Sequence, residues 1–266
     1  MAFEELKQKQ SVVWGTGPYQ NITDTITDIH ELVIDRLQPK PGKKWLDLAC
    51  GTGAVAELAA DRGADVTGVD LAPALIETAK ERAQERGLDI DYRVGDCEHL
   101  DLEDGAFDAV SSTCGVMFAP DHAATASELG RVVKQGGSIG LANWTPVELG
   151  LPALFNIMKP FQPTPPPGVG YAFDWGDRQH VEELLADAFD LDFETHVSPV
   201  RFSTGEDYWD LFVSSYGPTR MLAESLDDDR REDLHRSWVD FMEANFRRDD
   251  GVVHDREWLL VLGTRR

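Results

Sequence analysis

The chain has 266 residues, 42% of them hydrophobic, enough to bury a large core in a single α/β domain. Its 48 acidic residues against 25 basic ones leave a formal net charge of −23, which repels nucleic-acid phosphates and anionic membrane surfaces and so excludes both as partners. Three cysteines are too few and too odd for a disulfide framework, residues 1–7 are too polar for a secretory leader, and no apolar run is long enough to span a bilayer, so a cytoplasmic protein is expected.

In chain order, residues 1–20 lack a clear period, and residues 11–19 read as a loop bearing Trp14 and Tyr19. Ile22, Ile26, Ile29, Val33 and Leu37 recur at helical spacing and predict a helix over 22–37, ended by Pro39, Pro41 and Gly42. An apolar strand at Trp45 to Leu48 then runs into Ala49, Cys50, Gly51, Thr52 and Gly53, and a helix opens directly after this turn. Glycine there permits unusual backbone angles and close approach of a ligand to unpaired helix-start amides. A second strand, 65–69, ends in Asp70. Pro73 opens the next helix, with Leu75, Ala79 and Ala83 inward, and Gly87 closes it. A third strand, 89–94, leads to Gly95, Asp96 and Cys97; a fourth ends at Thr113 and Cys114; a helix covers about 121–133; and a fifth strand covers 138–143. This alternation predicts a parallel sheet with right-handed crossovers.

Residues 145–175 are rich in proline and glycine and flanked by Phe155, Met158, Phe161, Phe173 and Trp175, a loop placed to roof a pocket. A helix with Val181, Leu184, Leu185 and Ala188 follows, then an alternating strand over 191–197. Residues 204–247 read as two or three helices, and Trp258 to Leu262 as the core of a last buried strand.

The order Asp47-x-Ala49-x-Gly51-x-Gly53, with no third glycine, differs from the dinucleotide fingerprint G-x-G-x-x-G. The acid would repel a pyrophosphate and attract an ammonium. Together with Asp70, roughly 20 residues beyond the glycines, with Asp96 and Cys97, with the strand ending at Thr113, and with residues 129–137, this order resembles the class I methyltransferases that use S-adenosylmethionine (SAM). The branch with the quinone-biosynthesis C-methyltransferases is the nearest in pattern. Ala49 stands where the family commonly has glycine, and Gln135 where it commonly has proline.

The resemblance implies a Rossmann-like, doubly wound α/β sheet, mostly parallel with the last strand antiparallel, carrying helical and loop lid insertions. It divides a single domain, 1–266, into an N-terminal cap (1–38), a SAM-binding core (40–145), lids (145–175 and 204–250) and a last strand (251–266). It implies methyl transfer from SAM to a small-molecule acceptor by direct in-line displacement. Asp70 would meet the ribose hydroxyls, and Asp96 and the Cys97 amide the adenine. Asp47, Ala49, Cys50, Gly51, Gly53, Leu71, Thr113 and Cys114 would complete the cofactor site, with Trp14 and Tyr19 against the sulfonium or methionine chain. Cys50, Cys97 and Cys114 follow strands one, three and four and should rim one cleft.

No catalytic residue is assigned. His122, His180 and Glu148 are the candidates for a base, and no His/Cys spacing suggests a metal site. Two other readings stand beside the enzyme: a non-catalytic SAM-binding subunit that activates a partner, and an NAD(P)-dependent oxidoreductase. The second lacks the third glycine and, at every tyrosine, the Tyr-x-x-x-Lys of a common short-chain form.

Overall fold

A computed structural model describes residues 3–266 of the chain. Its elements run α1 (Glu4–Trp14), α2 (Gln20–Thr23), α3 (Thr27–Leu37), β1 (Lys44–Leu48), α4 (Ala54–Asp61), β2 (Asp65–Asp70), α5 (Pro73–Arg86), β3 (Ile90–Val94), β4 (Phe107–Thr113), α6 (His122–Val132), β5 (Val133–Trp144), α7 (Pro152–Met158), α8 (Arg178–Leu185), β6 (Phe189–Phe202), α9 (Gly205–Ser215), α10 (Gly217–Ser225), α11 (Asp228–Phe246), β7 (Arg247–Arg248) and β8 (Gly251–Arg265).

The sheet order is β3-β2-β1-β4-β5-β8-β6, with β7 paired to β8. The first five of these strands are mutually parallel, and β8 runs antiparallel between β5 and β6. Strand order reverses between β1 and β4, where an open α/β sheet forms its crevice. Both faces are covered. Trp45, Val66, Tyr92 and Ala109 pack on Val55, Ala59, Ile76 and Ala79 of α4 and α5. Leu46, Leu48, Val110 and Leu141 face Leu129 of α6 and Val181 and Leu185 of α8. Side chains alternate along β1, so Asp47 shares its face with Trp45.

Helix ends follow local chemistry. Pro73 sits in the first turn of α5, and Gly87, at φ 68°, closes it. Asp121 and Asp177 accept from Ala124 N and His180 N to cap α6 and α8. Asp227 caps α11, so the acidic run 227–229 begins a helix, where its charge opposes the positive end of the helix dipole.

Several boundaries differ from expectation. Residues 4–14 are helical, so Trp14 ends α1 and does not lie in a loop. The helix expected over 22–37 breaks into α2, a 3-10 turn (Asp24–Ile26) and α3, because Ile26 turns out of helical geometry at φ −132°. β5 begins at Val133, five residues early, and carries Gly136 at φ 74° as an irregularity beside the register shift between Phe107 and Ala109. The proline-rich segment contains α7, which Pro152 opens. β6 pairs with β8 over fourteen residues, twice the length read for β6 from the sequence. Among the described residues, no helix is long and apolar enough to cross a membrane.

Candidate cofactor-binding and active site

Four parallel strands end on one edge, and three of them deliver a carboxylate there. Asp47 is the penultimate residue of β1, Asp70 ends β2, and Asp96 follows β3. A cavity of about 950 Å³, including its open mouth, lies over these ends. Trp14, Tyr19, Asp47, Ala49, Cys50, Gly51, Asp70, Leu71, Asp96, Cys97, Thr113 and Cys114 all line it.

Gly53 is the one expected residue outside this lining. It precedes α4 at φ 88°, and a Cβ there would stand 2.1 Å from the Tyr92 hydroxyl. Glycine is required at 53 for packing beneath the turn and not for access to a ligand. Gly51 faces the cavity: a Cβ on it would meet only the Tyr19 ring, at 3.7 Å.

Asp47 is 2% exposed. Its carboxylate accepts from Ala56 N at 3.1 Å and from the Ser111 hydroxyl at 2.8 Å, and Ser111 in turn accepts from Trp45 Nε1 at 2.9 Å. Burial outweighs these bonds and pushes the acid up to about 7. Asp70 accepts from Gly51 N at 2.9 Å and Ala72 N at 2.8 Å, and burial raises it as well. It thereby ties the β2 terminus to the turn after β1, while each carboxylate oxygen keeps a lone pair for a ligand hydroxyl.

Asp96 accepts from Glu98 N at 2.9 Å through one oxygen and from Lys7 Nζ at 2.5 Å through the other. Lys7 also donates to Glu98 at 2.8 Å and is 5% exposed. Lys7, Gln10 and Trp14 occupy one face of α1, and all three line the cavity. Helical spacing would have identified this face had residues 4–14 been read as a helix.

The roof is aromatic. Trp14 packs on Phe118 at 4.8 Å, Tyr216 at 5.4 Å and Tyr19 at 6.0 Å between ring centroids, and Phe155 lies 6.2 Å from Phe118. His30 of α3 also faces the cavity, one helical turn after Ile26. It is 5% exposed, and burial lowers its imidazole to about 4 despite Asp28 and Asp24 nearby. His30 is therefore neutral at pH 7. Burial pushes the thiols of Cys97 and Cys114 up to about 12, so neither is an available thiolate.

Neither His122, His180 nor Glu148 lines the cavity. Glu148 is exposed in the segment after β5. His122 and His180 contact each other, 3.0 Å apart, outside the lining.

The donor set suits a ligand that is cationic at one end and rich in hydroxyl and amino groups. Three carboxylates face the cavity, and its lone lysine is already paired with two acids. A pyrophosphate would meet net negative charge. The Thr113 hydroxyl is buried in the same wall without a partner, and such an atom is stabilised by a ligand that supplies one. These features fit SAM.

Comparison with known proteins agrees. Residues 46–141 match the family model described as a methyltransferase domain. An uncharacterised protein of Mycobacterium tuberculosis is 36% identical over 81% of this chain and 80% of its own length. A ubiquinone biosynthesis O-methyltransferase of Xanthomonas axonopodis pv. citri is 39% identical over 46% of this chain and 52% of its own length. Among solved structures, the YcgJ protein of Bacillus subtilis superposes with a TM-score of 0.62 at 18% identity, covering 89% of this chain and 97% of that one, a likeness of fold.

Proposed function

We propose, since the chain belongs to the class I SAM-dependent methyltransferases, that it transfers a methyl group from SAM to a small-molecule acceptor by direct in-line displacement. The observation that carries this reading is the row of carboxylates, Asp47, Asp70 and Asp96, set along one cavity beneath an aromatic roof. SAM supplies a methyl group already activated on a sulfonium. The chain's task is then to align the acceptor with that group and exclude water.

Asp70 would hold the ribose hydroxyls, and Asp96 with the Cys97 amide the adenine. Asp47 and the turn through Gly51 would receive the amino-acid end. Trp14 and Tyr19 offer π-faces to the sulfonium. His30, neutral and buried, is the one imidazole in the lining; held near 4 it is too weak a base to take the acceptor's proton, and we assign it to accept a hydrogen bond from the acceptor. The relative that acts in ubiquinone biosynthesis aligns with under half of this chain, so its acceptor is not carried over.

Calorimetric titration with SAM, S-adenosylhomocysteine and NAD tests the cofactor. Tight NAD binding without SAM binding would overturn the reading. Asp70→Ala should weaken SAM binding by about 1.5–3 kcal/mol, the range for hydrogen bonds to a charged group. Incubation with SAM and a metabolite extract should yield a product heavier by one methyl group. SAM binding with no turnover on any extract would favour the non-catalytic subunit.

A further inference from the structure

A second cluster of chemistry-bearing side chains lies away from the cofactor cavity. His122 opens α6, Asp174 sits in a 3-10 turn (Ala172–Gly176), and His180 lies in the first turn of α8. Far apart in sequence, the three bring one nitrogen or oxygen each within 4.8 Å of one another. His122 Nδ1 is 3.0 Å from His180 Nε2, with the rings at 73°.

The His122 ring is held. It is 7% exposed, packs 5.7 Å from Trp175, and buries Nε2 without a partner. Gly170 makes this seat possible: a Cβ there would stand 2.4 Å from Nε2. Nδ1 is therefore the ring atom presented to His180. Two imidazole nitrogens and a carboxylate, without a lysine or arginine among them, form a donor set of two nitrogens and one oxygen. Ligand atoms bound to one zinc ion at 2.0–2.1 Å in a tetrahedron stand about 3.3 Å apart. The observed His–His separation is within a few tenths of an ångström of that.

We propose that His122, Asp174 and His180 form a divalent transition-metal site, best suited to zinc, with water in the fourth position. Imidazole donors select late first-row ions over magnesium or calcium, which prefer all-oxygen sets.

The ion would join three elements that packing and the His122–His180 hydrogen bond otherwise hold together. Phe173, beside Asp174, packs 5.1 Å from Phe155, and Phe155 packs on Phe118 of the cavity wall. Gly170 N donates to Pro120 O, which places the same segment against the cavity rim. The metal thus fastens the proline-rich lid to the core beside the cofactor site.

The test is cobalt and zinc titration of the untagged, chelator-treated chain, alongside His180→Gln and Asp174→Asn. These positions are only half-buried, so both variants should fold, and circular dichroism and melting temperature without metal verify it. The wild type should take up one equivalent of cobalt with a visible d–d spectrum, displaced by zinc, and should melt higher with zinc present. Each variant should lose at least tenfold in affinity and the zinc-dependent rise in melting. Absence of a cobalt spectrum in the wild type would overturn the proposal. So would equal cobalt binding by all three proteins, the signature of general attraction to a chain of net charge −23. Either result would leave His122 and His180 as a hydrogen-bonded pair. The readouts are spectroscopic and thermal, so they are independent of the methyl-transfer reading.

Discussion

Asp47 shows how one residue serves two opposed demands. Its place at the end of β1 buries it, yet its two bonded donors, Ala56 N and Ser111 Oγ, want a carboxylate. Burial wins, and the group titrates near 7 in the fold against its ordinary 3.8. Between those values the folded protein holds a proton that the unfolded chain has released, so Asp47 costs stability as pH rises through that window and adds no further change above it. Asp47→Asn removes this cost. The stability difference, variant minus wild type, should be near zero below pH 4, grow up to about pH 7, and then level off. Urea melts of both proteins across that range check it; using the difference cancels the buried His30 and His254, whose lowered values give the opposite slope. A flat difference would show that Asp47 ionises normally in the fold. Ala49, two residues on, has φ 53°, a left-handed conformation that costs a residue bearing a Cβ about 1 kcal/mol. The departure from the family's glycine is thus one of backbone angle as much as of size. Ala49→Gly relieves that strain but gives the unfolded chain back about 0.4–1 kcal/mol of conformational freedom, so it should stabilise the protein by at most about 0.5 kcal/mol, read as a slightly higher denaturation midpoint at unchanged denaturant slope.

At the scale of elements, α1 is attached by a charge cluster. Lys7 sits between Asp96 and Glu98, with the Glu98 side chain 5% exposed, and Gln10 Nε2 donates to Phe118 O at 3.0 Å. Removing one member of a buried pair leaves uncompensated charge, which is strongly destabilising. Lys7→Met leaves two acids facing each other, so α1 should detach locally while the sheet persists. Hydrogen exchange followed by mass spectrometry should show faster exchange over residues 4–14 and unchanged protection in β1 and β4; protection of α1 at the wild-type level would refute the role given to Lys7. This helix also marks the limit of what the sequence discloses. The strands of the core were legible because short apolar runs end in acids and glycines at regular intervals. α1 was not, because its inward face is Lys7, Gln10 and Trp14, and one buried lysine gives no apolar period. β6 was read as half its length because its face alternates irregularly between buried and exposed positions. His30 was hidden inside the apolar stripe Ile26, Ile29, Val33, although its spacing from Ile26 places it on the same face. The His122–Asp174–His180 cluster was invisible because its members meet only where α6, α8 and the 3-10 turn Ala172–Gly176 pack together.

For the whole molecule, the dominant fact is a net charge of −23, and its consequence depends on how two electrostatic effects scale with distance. The ion pairs are contacts: Arg82 and Arg86 reach the buried Glu57 at 2.9 and 2.8 Å, and Arg36 reaches Glu194 at 2.8 Å. The surplus of acids over bases, by contrast, repels itself across the whole surface, at separations of ten ångströms and more. Raising ionic strength from about 0.01 M to 1 M shortens the screening length from about 30 Å to about 3 Å. Long-range repulsion is then removed almost entirely, while partly buried contacts keep most of their attraction. Exposed pairs that weaken contribute at most about 1 kcal/mol each and often nothing measurable. Repulsion between like charges disfavours the compact state, so its removal should outweigh those losses. The melting temperature should therefore climb steadily with sodium chloride over this range, most steeply at the low end, where the screening length shortens fastest. Scanning calorimetry at fixed pH checks it, with potassium chloride in parallel to separate screening from a specific sodium site. A melting temperature that falls as salt is added would mean that the contact pairs, and not the surplus charge, govern the stability of the fold.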